Sequence, residues 1–321
     1  MPHSECRLIG LVTGADRSIL QIPLKHGLRF EERSPEEIIP LVSRLAGMEQ
    51  WAARRQLFLD QIMRPENPII VIVGTFPIDD SGGPDDPEGR AQGQAVQSTA
   101  VAHNYLLVQF FGLLRLYRPS AVHLKAYYTY LTSWGRLTPS TSFFDGNRLY
   151  GPLFSIPDSE VDGLRKFLEE SSLPLGRAHL DLAVEMGELS LRVIPEGLQF
   201  ATAMMGFDAL VGAEGAQARW RILAGTAALL AESPAAYTTI RSEMSRFYGL
   251  RSAILHIPAP RRATQVEVVR LRQLLSRSIQ AASRIPGDKE SLKAELEARS
   301  RNYGDLPPPS ARGEDPPAAG D

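Results

Sequence analysis

The sequence contains one cysteine among its 321 residues, and this scarcity limits its covalent chemistry. Cys6 cannot form a disulfide within the chain, which suits a reducing cytosol. No apolar run is long enough to span a bilayer, because the stretch 106–114 is interrupted by Gln109 and followed by Arg115. The first residues lack the basic start and apolar stretch of a signal peptide. We therefore expect a cytoplasmic protein with no membrane partner.

Motifs that would identify a cofactor or a metal site are also missing. The sequence has no glycine-rich phosphate loop, no nucleophile elbow and no Cys/His cluster with metal-ligand spacing. Five acidic residues between 79 and 88 lack the regular alternation of a calcium loop, so we interpret that stretch as an exposed loop. We predict no cofactor and no metal. An independent enzyme in the N-terminal half is a third interpretation that no motif supports.

Lysine is absent from residues 195–285, yet this segment is basic. It contains 11 arginines and six acidic residues, a formal charge of +5 in a chain whose net charge is −2. A basic segment in an acidic chain suits a phosphate-bearing partner. The alternative interpretation is a solvated helical surface.

The N-terminal part is predicted to mix strands and helices. The pattern Ser34-Pro35-Glu36-Glu37 is typical of a helix start, in which Ser34 and Glu37 form a capping box. The run 68–73 is continuously apolar and β-branched, which predicts a buried strand. Other segments fit strands at 7–13, 19–24, 28–30 and 122–131, and helices at 49–63, 95–117 and 158–171.

The last third has the periodicity of helices joined by short loops, which predicts an antiparallel bundle. These helices are expected at 199–211, 218–231, 235–255 and 264–285. We therefore predict an α+β protein: a mixed N-terminal domain over 1–194, an all-α bundle over 195–285, a charged helix over 286–302 and a disordered tail over 303–321. The proline content of the tail supports its disorder.

Arg251 and His256 are the residues whose chemistry suggests a site. Five residues of helix turn about 140°, so the two side chains are not stacked, but Pro258 should end or distort the helix and allow both to reach one groove. An arginine can hold a phosphate in bidentate fashion, and a histidine near a helix C-terminus suits proton transfer near neutral pH. The alternative is a surface cation and a packed ring.

The surrounding pattern resembles the HEPN superfamily, and within it the Apea-like HEPN domains. The similarity lies in the acidic helix around Phe207-Asp208-Ala209, the Arg221-Ile222-Leu223 helix with its later paired leucines, and the run Tyr248-x-x-Arg251-Ser252-x-x-x-His256. It covers roughly residues 199–285 and does not extend to the N-terminal half.

This resemblance implies an all-helical bundle that forms a homodimer with two Arg-x4–6-His motifs facing each other, and a metal-independent endoribonuclease in phage defence or toxin systems. Arg251 would hold the scissile phosphate of RNA, His256 would be general acid or base, and Ser252 would make polar contacts. Tyr248 fits a packing role. Asp208 would either orient Arg251 or form a structural ion pair.

Two further expectations follow. Ile257 and Pro258 stand where the family usually has a glycine after the histidine, so a non-catalytic scaffold that binds RNA, nucleotide or protein is the alternative function. Apolar positions such as Leu223, Ala227 and Leu230 predict a surface through which the bundle pairs with a second copy. The N-terminal domain would then sense a trigger or control the nuclease.

Overall fold

A computed structural model describes residues 5–24, 27–38, 69–77, 105–133, 136–144, 148–212, 217–256 and 262–307. The chain divides into an N-terminal unit, Met1–Ser172, and a C-terminal unit, Leu173–Asp321. The fold is α+β, with an antiparallel sheet in the first unit and helices in the second, as predicted. Within the part of the chain that the structure describes, no helix combines the length and apolarity needed to cross a membrane.

Five antiparallel strands form the sheet of the N-terminal unit, in the order β2-β3-β1-β4-β5. The central strand β1 pairs on both sides, so that Ile9 lies opposite Val73 and Tyr128. The strands are β1 Glu5–Thr13, β2 Leu28–Arg33, β3 Ile69–Pro77, β4 His123–Ser133 and β5 Arg136–Phe144.

One face of the sheet forms a hydrophobic core with two helices. These are α1, residues 105–117, and α2, Asp158–Glu170. Leu8 and Ile72 from the sheet belong to the same buried cluster as Leu114 of α1 and Leu164 of α2. Because side chains alternate along a strand, only one face of each strand contributes to this cluster.

Local sequence signals explain several elements of the N-terminal unit. The predicted capping box is confirmed, because Ser34 N donates to Glu37 Oε2 at 2.9 Å and residues 35–38 are helical. The predicted buried strand is also confirmed, since Ile70, Val71 and Ile72 are at most 1% exposed. The predictions for residues 39–68, 78–104 and 145–147 lie outside the described residues.

One prediction for this unit was wrong, and one strand was missed. The predicted strand at 19–24 is instead the short 3-10 helix Arg17–Gln21, because Asp16 caps it by accepting a hydrogen bond from Ser18 N at 2.9 Å. Strand β5 was not predicted. It lies at the edge of the sheet, where Pro139 is tolerated opposite Tyr130 beside a register irregularity.

The regular secondary structure in the described part of the C-terminal unit is entirely helical. Phe200, Phe207 and Phe247 are fully buried at its centre, and the rings of Phe200 and Phe247 meet edge to face at 5.6 Å. The helices are α3 Ala178–Ser190, α4 Glu196–Val211, α5 Ala218–Leu230, α6 Pro234–His256, α7 Gln265–Ser283 and α8 Lys289–Asn302.

The unit begins at Leu173 rather than at the predicted residue 195, so α3 belongs to the helical part. Arg272 of α7 is buried and donates from Nε to Ser190 Oγ at the end of α3, at 3.0 Å. Before α3, Arg177 donates to backbone carbonyls at the end of α7, including Ser283 O at 2.7 Å. The predicted boundary at 194/195 falls in the short connection between α3 and α4, where Pro195 is the N-cap of α4.

The C-terminal end of the unit also differs from the prediction. Helix α8 is part of the bundle rather than a separate charged helix, because Leu292 and Leu296 are buried on one face of it. The predicted disordered tail over 303–321 was wrong for residues 303–307, which follow α8. There the Asp305 carboxylate accepts hydrogen bonds from Trp220 Nε1 at 2.9 Å and Tyr237 Oη at 2.8 Å. Residues 308–321 lie outside the described part.

The apolar positions expected to form a dimer surface are buried inside the unit itself. Leu223, Ala227 and Leu230 are exposed by 5%, 0% and 9%. Residues 222–230 of α5 are all buried, which removes the surface on which the expected self-association was based.

Candidate active site

Helix α6 carries three arginines that each form an ion pair with a different element. Arg241, Arg246 and Arg251 are five residues apart, so each turns about 140° from the one before. Arg241 pairs with Asp305 beyond α8, Arg246 with Glu267 of α7, and Arg251 with Asp208 of α4. These three of the 11 arginines of residues 195–285 are thus paired with carboxylates within the unit.

Arg251 and Asp208 are brought together as the sequence suggested. Arg251 Nη2 lies 2.8 Å from Asp208 Oδ2, and the two side chains are 24% and 36% exposed. Lys289 Nζ donates to the backbone carbonyl of Asp208 at 3.1 Å, near the end of α4. The ion pair between Arg251 and Asp208 orients the Arg251 guanidinium, and it also links α6 to α4.

Burial raises the pKa of Asp208, and the charges of Arg251 and Lys289 oppose that rise. Burial also lowers the pKa of Lys289 from its ordinary value. Two ionisable groups beside Arg251 are therefore shifted toward neutrality by their surroundings. Such shifts are frequent at functional sites, although structural ion pairs also produce them.

Tyr248 lies close to two arginines in this region. The guanidinium carbons of Arg219 and Arg251 are each 5.7 Å from the centre of the Tyr248 ring. Arg219 is exposed and donates to Ser245 Oγ at 3.3 Å. The predicted packing role of Tyr248 thus has a specific form, in which the half-buried ring contacts two cations.

Contacts with the rest of the site are not described for the other two predicted site residues, Ser252 and His256. Ser252 is exposed on α6, and its side chain makes no hydrogen bond to any described residue. His256 is the last residue of α6, in the turn that follows Arg251, and its side chain lies outside the description. The structure therefore joins Arg251 to Asp208, but it does not describe where the His256 ring lies.

Sequence analysis missed Arg219 and Lys289 as members of this region. Lys289 was missed because α8 was treated as separate from the bundle, although the spacing of Leu292 and Leu296 at i and i+4 is a signal for a packed helix. Arg219 had no distinguishing signal, since nothing in its neighbours indicates that it reaches Tyr248.

The N-terminal unit contains a separate cavity of about 400 Å³. It lies between the sheet, α1 and α2, and its walls are mainly apolar, with Arg165 and Glu169 among its few charged side chains. Among the described residues of the whole chain, no three His, Cys, Asp or Glu side chains are grouped as metal ligands.

No protein-family model, curated protein or solved structure shows detectable similarity to this chain.

Proposed function

We propose that the C-terminal unit is a HEPN-type, metal-independent endoribonuclease that acts in the cytoplasm in a defence or toxin-like role. The observation that carries the proposal is the 2.8 Å contact that holds the Arg251 guanidinium against Asp208, one and a half turns before His256. An arginine held in this way presents its remaining N–H donors in a fixed direction. Fixed donors are what a phosphate ligand requires.

In the proposed reaction, RNA supplies its own nucleophile. His256 removes the proton from a 2′-hydroxyl, whose oxygen attacks the adjacent phosphorus while Arg251 stabilises the added negative charge. The bond from phosphorus to the 5′-oxygen breaks, and that oxygen takes a proton from the same histidine of a second copy. The products are a 2′,3′-cyclic phosphate and a 5′-hydroxyl.

Pairing with a second copy of the chain requires an exposed apolar surface. Helices α3 and α4 each carry exposed apolar side chains. Leu182 and Leu189 are 46% and 41% exposed on α3, seven residues apart. Leu198 and Met205 are 49% and 51% exposed on α4, with the same spacing. Residues seven apart lie on one helical face, so each helix presents two apolar side chains together. We propose that these two pairs of side chains together form the homodimer surface in place of α5.

A non-catalytic scaffold that binds RNA, nucleotide or protein is the second candidate. The observation that favours the scaffold is that Arg251 is already paired with the Asp208 carboxylate and that its side chain is only 24% exposed. An arginine neutralised in this way can serve structure alone. The two candidates differ in whether wild-type protein cuts RNA.

Expression of wild-type protein beside Arg251→Ala and Asp208→Asn tests the proposal, with growth arrest and RNA fragmentation as readouts. We expect Arg251→Ala to reduce the cleavage rate by about a hundredfold or more, the loss typical of a missing charge-stabilising donor. Asp208→Asn should retain binding but cut more slowly, because Arg251 loses its charged partner.

Arg277→Ala is the matched control, since it removes an exposed arginine from α7. Its activity should equal that of the wild type. Full activity of Arg251→Ala would overturn the proposed role of that residue. RNA binding without any cleavage by the wild type would support the scaffold instead.

A further inference from the structure

An exposed arginine and a half-buried tyrosine form an open face next to Arg251. The Arg219 guanidinium carbon lies 5.7 Å from the centre of the Tyr248 ring, and Arg219 comes from the first turn of α5 while Tyr248 comes from α6. A Cβ added at Gly249, the residue that follows Tyr248, would meet no atom within 4 Å. Arg219 forms no ion pair with a described residue.

We propose that Arg219 and Tyr248 bind an unpaired RNA base, which stacks between the guanidinium plane and the phenol ring while Arg251 contacts the adjoining phosphate. The inference rests on the proposed function and names its substrate class as single-stranded RNA. Aromatic rings and arginine planes are the surfaces on which unpaired bases stack in RNA-binding proteins.

Insertion of a base requires Arg219 to move. Stacked bases are about 3.4 Å apart, so a base between the ring and the guanidinium needs about 6.8 Å, whereas the guanidinium carbon now lies 5.7 Å from the ring centre. Arg219 must therefore move outward by at least about 1 Å. It is free to do so because its side chain is exposed and its one described hydrogen bond, to Ser245 Oγ, is long at 3.3 Å.

The two arginines around Tyr248 have different roles in this arrangement. Arg251 is fixed by Asp208 at 2.8 Å and thus keeps its position when RNA binds. Arg219 has no such partner and adjusts to the base. A base and its phosphate are covalently linked, so one nucleotide spans both residues. Duplex RNA does not offer a free base, and it should bind weakly.

Equilibrium binding to a short 2′-O-methyl oligoadenylate tests the inference on the full chain. The methyl group blocks the 2′-oxygen, so the proposed cleavage cannot consume the probe. We expect wild-type protein to bind this oligomer at least about fivefold more tightly than the same oligomer without bases. That ratio is the lower end for one stacked base.

Variants of Arg219 and Tyr248 then test whether these two residues cause the preference for the oligomer with bases. Arg219→Ala and Tyr248→Leu should bind both oligomers equally, whereas Tyr248→Phe, which keeps the ring, should retain the wild-type ratio. Arg277→Ala is again the charge control and should also retain it. Circular dichroism of Tyr248→Leu checks that the helical unit is folded, and Arg219→Ala gives an independent result at an exposed position.

Equal binding of the two oligomers by wild-type protein would overturn the inference, as would an unchanged ratio in Arg219→Ala. Either result could occur in an enzyme that still cuts unmodified RNA, in which case the proposed function stands. Conversely, base-dependent binding without cleavage would support the stacking site and contradict the proposed ribonuclease.

Discussion

Replacing Asp305 by alanine tests whether residues beyond α8 help to stabilise the helical unit. Its carboxylate accepts hydrogen bonds from Trp220 Nε1 and Tyr237 Oη and forms an ion pair with Arg241. In addition, the Tyr303 ring stacks on Tyr237 with their centres 4.4 Å apart. Burial, together with the hydrogen bond to Asp305 and the negative charge of Asp305, raises the pKa of Tyr237 to about 12, so its hydroxyl remains a donor throughout the neutral range.

The magnitude follows from what the substitution leaves behind. The Asp305 side chain is 13% exposed and that of Arg241 is 40% exposed, so the ion pair is only partly screened. Two neutral donors lose a charged acceptor, which costs about 1–3 kcal/mol for each donor left buried, and the exposed cation adds little. We expect a total of about 3 kcal/mol, or a fall of about 6–12 °C in the melting temperature of a unit of this size.

Urea and thermal unfolding monitored by circular dichroism measure this loss. Glu295→Ala is the control on α8, because it removes an exposed pair with Arg299 that contributes about 0.3–0.5 kcal/mol. A free energy of unfolding for Asp305→Ala within 1 kcal/mol of the wild type, on the order of one ordinary hydrogen bond, would refute the reasoning.

The pH dependence provides a second check on the same residue. Burial alone would raise the pKa of Asp305, but the hydrogen bonds from Trp220 and Tyr237 and the charge of Arg241 hold it below its ordinary value. Its contribution to stability is therefore fully present above the unfolded pKa of about 3.9 and is lost as the pH falls through the lower folded value. The difference between wild type and Asp305→Ala should shrink below about pH 4.

Other predictions concern the same unit. Burial, with a smaller contribution from nearby cations, lowers the pKa of His179, so stability should fall as the pH drops below the unfolded value of about 6.5; His179→Gln should flatten this dependence in urea titrations, and an unchanged slope would contradict the assignment. Arg272→Ala should lower the free energy of unfolding by about 2–4 kcal/mol, because it removes a buried side chain that donates to Ser190 Oγ. A loss below about 1 kcal/mol would show that the buried Arg272 side chain contributes little to stability. Arg251→Lys should reduce RNA cleavage nearly as much as Arg251→Ala, because an ammonium cannot make a bidentate phosphate contact; a fully active lysine variant would show that charge alone suffices.

Local signals in the sequence predicted much of the helical unit. The apolar periodicity located all four expected helices to within a few residues. The pairing of Asp208 with Arg251 was anticipated as one of two roles. These features depend on residues that are close in sequence or on the order of motifs along the chain.

Long-range contacts explain what the sequence did not show. Composition predicted a disordered tail, but the donors that fix Asp305 lie 85 and 68 residues earlier in the chain. Similarly, the contact of Arg219 with Tyr248 joins two helices whose relative rotation is set by packing. Strand β5 was hidden because its proline argues against a strand, except at a sheet edge.

Cleavage of a DNA strand that contains a single ribonucleotide tests the central claim most directly. Purified protein in excess chelator should cut this strand at one position, immediately 3′ of the ribonucleotide, and mass spectrometry should find a 2′,3′-cyclic phosphate and a 5′-hydroxyl. The prediction follows from the use of the RNA 2′-hydroxyl as nucleophile, with Arg251 stabilising the phosphate and His256 transferring the proton. Cutting at deoxyribonucleotides, or an absolute need for added magnesium, would contradict the account.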